Sequence, residues 1–168
     1  MLPQLSQDLL DQLAAAWSRL DQARPATLEE VPQLTNALVE WMNWAIRVDD
    51  ELTAILSASC PALPSTAGDG ATALRGLRHV QGLLDDDGRH ITELISISAG
   101  SPPVFHEAIW LPFEELPSPR MGAPIVVEES AYRRCLEGSA ARTSAAAITR
   151  FLLDVALDRD GDRVEVAD

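Results

Sequence analysis

The sequence predicts an all-α fold, a bundle of four to five helices with a proline-rich irregular insertion that includes a small β-hairpin. Three observations lead to it. Apolar residues recur in steps of three and four along several stretches, 46% of the residues are hydrophobic, and six prolines crowd the stretch from Gly100 to Pro124. The first two indicate helices around a core, and the third excludes a helix over that stretch.

The first helix is predicted from the leucine spacing between residues 2 and 20, and it ends near Arg24. Ser6 is its candidate N-cap. Thr27 and Glu30 have the spacing of a capping box, which predicts that a second helix starts there and runs to about Ser59.

The second helix carries an apolar seam at heptad spacing, formed by Val31, Leu34, Leu38, Trp41, Ala45, Val48, Leu52 and Ile55. A helix of that extent is about 37 Å long, and its seam must be covered. Other helices of the chain or a second copy could cover it, and the sequence leaves both open.

A third helix is predicted from about Ala71, with Leu74, Leu77, Val80 and Leu84 facing the core. The acidic run Asp85 to Asp87 and Gly88 form a weak point. The same apolar stripe continues from Ile91 to Ser98, so we expect the helix to persist.

The proline-rich insertion contains two candidate strands, Val104 to Phe113 and Ile125 to Val127, which could pair as a hairpin. A short helix is predicted next, from Glu128 to Leu136, and Gly138 ends it. Thr143 or Ser144 caps a last helix that reaches Leu157. Residues 1–157 are thus expected to form one domain, and residues 158–168 an acidic, flexible tail.

Charge and composition exclude several classes of protein. The net charge is −13, which opposes binding to nucleic acid or to an anionic membrane. No stretch approaches 18 consecutive apolar residues, and the N-terminus lacks the pattern of an export signal. Cys60 and Cys135 fit no metal or disulfide framework, which predicts free thiols in the cytoplasm.

No motif for catalysis, metal or cofactor is found in the sequence. His79, His90 and His106 share no ligand spacing with each other or with a cysteine. There is no nucleophile elbow and no glycine-rich phosphate loop. The expectation is a chain without metal or cofactor, and more a binding protein than an enzyme.

Aromatic and basic residues provide the candidate binding sites. Trp41 and Trp44 lie on the heptad helix, and Trp110 and Phe113 lie in an irregular segment where a loop is usually polar. That segment packs on the bundle as a lid, which is the favoured interpretation, or it forms an interaction patch.

The stretch from Ala131 to Arg150 has four arginines against one glutamate. Arg133 and Arg134 are its candidate contacts to an anion or an acidic partner. Pairing with the chain's own carboxylates is the favoured alternative.

Arg75, Arg78 and His79 cluster at helical spacing. They could bind an anion or assist acid–base chemistry on phosphodiesters. The favoured alternative is that they cover an apolar stripe or pair with acidic residues of a neighbouring helix.

Four sequence features together resemble an uncharacterised helical domain of actinobacteria, over about residues 71–155. They are Leu74-Arg-Gly-Leu-Arg78, Trp110-Leu-Pro-Phe-Glu-Glu-Leu-Pro117, Tyr132 and Leu136-Glu-Gly138. In that family an arginine-rich segment ending in His, here at His90, is similar to the Arg-x(4–6)-His signature of HEPN ribonucleases. The resemblance implies an alternative function, a HEPN-like ribonuclease, active or degenerate, that uses Arg75, Arg78, His79 and His90.

The leading functional hypothesis is a non-enzymatic, cytoplasmic helical module that binds itself or a protein partner. The contacts are expected from the heptad seam and from the Trp110 region. An acidic surface suits a protein partner better than nucleic acid.

Overall fold

A computed structural model describes residues 5–59, 69–81, 91–98, 104–117 and 129–161. The described helices are α1 (Gln7–Gln22), α2 (Val31–Ser59), α3 (Asp69–Gln81), α4 (Glu129–Cys135) and α5 (Ala141–Gly161). Two strands, β1 (Thr92–Ser98) and β2 (Val104–Trp110), form an antiparallel hairpin, and single 3-10 turns span Leu28–Glu30 and Phe113–Glu115. The predicted helical bundle with a small hairpin is confirmed.

The core lies between the helices. α1 packs on α2, α3 packs on α4 and α5, and α5 also contacts α1 and α2. Seven of the eight heptad positions of α2 are buried, and Val31 is half-buried. The chain's own elements therefore cover the seam, and its burial requires no second copy.

The first two helices begin where they were predicted, with different capping contacts. The Ser6 carbonyl accepts a hydrogen bond from the Leu9 N–H at 3.0 Å, and its side chain makes no capping bond. The Glu30 carboxylate accepts from the Ala26 N–H at 2.8 Å rather than from Thr27. The predicted capping box is therefore wrong in detail, because a 3-10 turn precedes α2 and shifts the contact by one residue.

The third helix is shorter than predicted. It ends at Gln81, and Thr92 to Ser98 form a strand instead of continuing the helix. The β-branched Thr92, Ile95 and Ile97 favour an extended backbone, and pairing with β2 satisfies their peptide groups. The other predicted strand, residues 125–127, lies outside the described residues, as does Leu84.

The last two helices follow the prediction more closely. α4 begins at Glu129, and Gly138 ends that segment with a φ of +71°, a conformation that favours glycine. α5 begins at Ala141, ahead of the predicted caps, and continues past Leu157 to Gly161. The division into a domain and an acidic tail stays a prediction.

We expect Gly70→Ala to lower the free energy of unfolding by about 1–3 kcal/mol, because α3 and α5 are in close contact there. A Cβ at Gly70 would lie 2.6 Å from the Phe151 Cβ and 2.8 Å from the Ala147 carbonyl oxygen, which is α5 backbone. Urea denaturation measures the loss. Gly76→Ala is the control. Its Cβ would lie 3.1 Å from its nearest neighbours, so this substitution should lower the free energy of unfolding by less. An unchanged or raised stability for Gly70→Ala would contradict the close packing.

Candidate functional site: the anchored hairpin

Among the described residues, the main-chain hydrogen bonds that join the β-hairpin to the bundle are made by β2. The outer edge of β2 is closed by main-chain hydrogen bonds, from the His106 N–H to the Pro25 carbonyl at 2.8 Å and from the Trp110 N–H to the Ser139 carbonyl at 3.0 Å. The Gly138 N–H donates back to the Trp110 carbonyl at 3.0 Å. β2 is therefore the inner strand, and β1 is the edge.

The hydrogen-bond pattern shows which groups of β1 point away from β2. The Leu111 N–H donates to the Ile91 carbonyl at 3.1 Å, which marks these two residues as a hydrogen-bonded pair. Such pairs alternate along an antiparallel ladder, so Ile95 bonds to β2, while Leu94 and Ser96 direct their N–H and C=O groups outward. Within the described ranges, no main-chain group forms a hydrogen bond to this outer edge.

Two apolar side chains of β1 are exposed beside this edge. Leu94 is 42% exposed and Ile95 is 41% exposed, on opposite faces of the strand. β1 contains no proline, lysine or arginine, the residues with which proteins commonly protect an edge, and Glu93 is its one charged residue. β1 is therefore an open edge suited to pairing with another strand.

A largely buried arginine fixes the hairpin to the helices. Arg142 of α5, whose side chain is 11% exposed, donates to the carbonyls of Leu20 and Asp21 at 2.5 Å and of Ala23 at 2.7 Å. Its Nε donates to Oε2 of Glu107 on β2 at 3.2 Å. One guanidinium thus joins the C-terminal end of α1, the inner strand and α5, and it donates to carbonyls in and just after the last turn of that helix.

Trp110 lies inside the core, at the end of β2. It is fully buried, and its indole N–H donates to the Ser144 hydroxyl at 3.1 Å. The Tyr132 hydroxyl donates to the Leu111 carbonyl at 2.6 Å, and burial raises the pKa of that phenol, with Glu137 adding to the effect. The apolar segment after β2 therefore packs on the bundle, as the favoured interpretation predicted.

Arg133 holds the next part of this segment. Its guanidinium lies 4.8 Å from the centre of the Phe113 ring and pairs with Glu114 at 2.5 Å and Glu129 at 2.9 Å. Glu137 lies 3.5 Å away on the same helical face. Arg133 is thus paired with the chain's own carboxylates, and both Arg133 and Arg134 are exposed.

The two tryptophans of α2 differ in their surroundings. Trp41 is fully buried, and its indole N–H donates to the Thr149 hydroxyl at 2.9 Å. Trp44 is half-buried, and the Arg47 guanidinium lies 5.5 Å from its ring centre. Trp41 and Trp110 therefore belong to the core, and of these three tryptophans only Trp44 has part of its side chain at the surface.

The arginines proposed for the ribonuclease alternative are on α3. Arg78 donates to Asp49 at 2.6 Å and to Asp50 at 2.7 Å, so it joins α3 to α2. Burial raises the pKa of Asp49, and Arg78 opposes that effect. Arg75 is exposed, while the side chains of His79 and His90 lie outside the described residues. The expected pairing with a neighbouring helix is confirmed for Arg78.

The described part of the chain has neither a metal-binding group of residues nor a membrane-spanning helix. There, no three His, Cys, Asp or Glu residues are grouped so that they could hold a metal ion. None of the helices in those ranges combines the length and apolar character needed to cross a bilayer. No family model, no curated protein and no solved structure matches the chain.

Proposed function

We propose that the chain is a non-enzymatic, cytoplasmic protein-interaction module that binds an extended segment of its partner along the outer edge of β1. The observation that carries this proposal is the open edge itself. The outward main-chain groups of Leu94 and Ser96 find no partner among the described residues, and Leu94 and Ile95 are exposed beside them. Strand addition uses such groups for affinity and the alternate side chains for specificity.

The surfaces that the sequence predicts for partner binding are not available to a partner. The heptad seam of α2 and Trp110 are buried in the core. A partner therefore meets the hairpin rather than the seam. Since the inner strand is bonded to Pro25 and Ser139 and is held by Arg142, the edge is fixed before the partner arrives, which lowers the entropy cost of binding.

No observation favours the ribonuclease alternative. Arg78 is committed to two carboxylates of α2, and the net charge of −13 opposes the approach of RNA.

We expect Ser96→Pro to weaken partner binding strongly and to leave the fold intact. The Ser96 N–H points away from β2, so proline removes a donor for the partner strand and no hydrogen bond of the hairpin. Ser96→Ala is the matched control, because it keeps the N–H and loses the hydroxyl that lies 3.3 Å from His106 Nδ1.

The measurement starts from proteins of the source cells that are captured by the immobilised chain and then purified. Calorimetry with each captured protein should give equal affinity for the wild type and Ser96→Ala, and a loss of roughly ten- to a hundredfold for Ser96→Pro, because the partner's carbonyl is then buried without its donor. Equal binding of a partner to all three proteins would contradict an edge-binding role.

A further inference from the structure

We propose that the segment bound at β1 is the β1 strand of a second copy, so that the chain forms a two-fold symmetric dimer with one continuous four-stranded sheet. This inference rests on the proposed function and names its partner. Closed two-fold dimers use the same patch on both copies, and an open edge strand provides such a patch.

The alternation of the ladder fixes which pairings are allowed. Leu94 and Ser96 direct their main-chain groups outward, so in an antiparallel pair an outward residue of one copy must face an outward residue of the other. Placing Ile95 opposite its own counterpart satisfies this rule and sets Leu94 against Ser96. It also pairs the whole of Thr92–Ser98, whereas a shift by two residues leaves an end unpaired.

The side chains of β1 suit this register. At the two-fold axis, Ile95 meets Ile95 of the second copy in a non-hydrogen-bonded pair, where the Cα atoms are about 4.5 Å apart. Two β-branched apolar residues are favourable at such a position. Glu93 lies opposite Ile97 and not opposite its own counterpart, so like charges do not face each other directly.

The charge of the chain opposes association without preventing it. Each copy carries −13, but charges more than about 8 Å apart are largely screened at physiological salt. β1 itself contributes one carboxylate, from Glu93. A strand pair buries less surface than a standard interface, so the dimer should be weak and form only as the concentration rises. Because salt screens the repulsion between the two copies, adding salt should strengthen the dimer.

The test is a charge exchange at the two-fold axis, followed by sedimentation velocity over a range of concentrations. The wild type should shift from monomer to dimer as its concentration rises. Ile95→Lys and Ile95→Glu should each weaken the dimer roughly tenfold or more, since like charges then face each other. An equimolar mixture of the two variants should restore a dimer, because Lys then faces Glu.

Leu28→Lys is the control for a general effect of adding a lysine, because Leu28 is 72% exposed and lies on the 3-10 turn before α2. It should dimerise as the wild type does. Melting temperatures establish that each variant is folded, and if an Ile95 variant is not, Ser96→Pro against Ser96→Ala carries the same comparison.

Two results would overturn the dimer. One is a wild type that stays monomeric at every concentration, and the other is an undiminished dimer in Ile95→Lys, in Ile95→Glu or in Ser96→Pro. The proposed function would still stand after either result if a different captured protein binds Ser96→Ala and binds Ser96→Pro far more weakly. It fails as well if Ser96→Pro changes neither kind of association.

Discussion

Replacing Arg142 with methionine is expected to lower the free energy of unfolding by about 3–5 kcal/mol, the usual cost of removing one partner of a buried ion pair. The methionine keeps most of the apolar stem, so the loss reports on the guanidinium. Glu107, which is 5% exposed, would lose its ion-pair partner. The carbonyls of Asp21 and Ala23 would lose the guanidinium as their donor at the same time, and the Leu20 carbonyl would keep only the longer bond from the Ala23 N–H at 3.3 Å.

Equilibrium unfolding in urea measures this change, and Arg133→Met is the matched control. The Arg133 side chain is 37% exposed, and its carboxylate partners Glu114 and Glu129 are also at the surface. Exposed ion pairs contribute at most about 1 kcal/mol, so the control should lose little. If Arg142→Met cost no more than Arg133→Met, the buried pair would not be what fixes the hairpin.

A second variant separates the lost charge pair from the lost carbonyl contacts. Glu107→Leu combined with Arg142→Met removes both charges, and it should recover part of the stability lost by Arg142→Met alone. The stability that is not recovered measures the contribution of the hydrogen bonds from the guanidinium to the carbonyls at the end of α1.

The helices could be predicted from the sequence, but the cover of the heptad seam could not. Steps of three and four from Leu34 to Ile55 identify a helix and the face that it buries. They carry no information about what lies against that face. The answer depends on α1 and α5, which the fold brings to α2 from distant parts of the chain.

The error at β1 arose because its apolar residues fit two periods. Ile91, Leu94 and Ile95 have helical spacing, while Thr92, Ile95 and Ile97 belong to an extended, β-branched strand. Gly88 and the acidic run before it were the signals that could have separated the two interpretations. With the strand recognised, its pairing with Val104–Trp110 would have followed.

The candidate site was beyond prediction for a different reason. Arg142 and Glu107 are 35 residues apart, and nothing in either neighbourhood selects the other. The open edge of β1 is a property of topology, because it exists only where the far side of β2 is already taken by Pro25 and Ser139. Sequence patterns describe single elements and leave such choices undetermined.

Trp41→Ala is expected to lower the free energy of unfolding by about 3–5 kcal/mol, the usual cost of removing a large buried aromatic. Trp41 is fully buried, and its loss leaves a cavity and an unsatisfied hydroxyl on Thr149, which is itself buried. Guanidinium chloride denaturation measures the change.

Trp44→Ala is the matched control, three residues away on the same helix. Trp44 is half-buried and its ring contacts the Arg47 guanidinium, an interaction that contributes about 0.5–1 kcal/mol at such a site. Trp44 also packs on the core with its buried part, so the control should lose less stability than Trp41→Ala. It should keep its self-association, since neither aromatic belongs to β1. A loss for Trp41→Ala no larger than that for Trp44→Ala would mean that the seam of α2 is not the core of the monomer, and a second copy covering the seam would again be the better explanation of the heptad pattern.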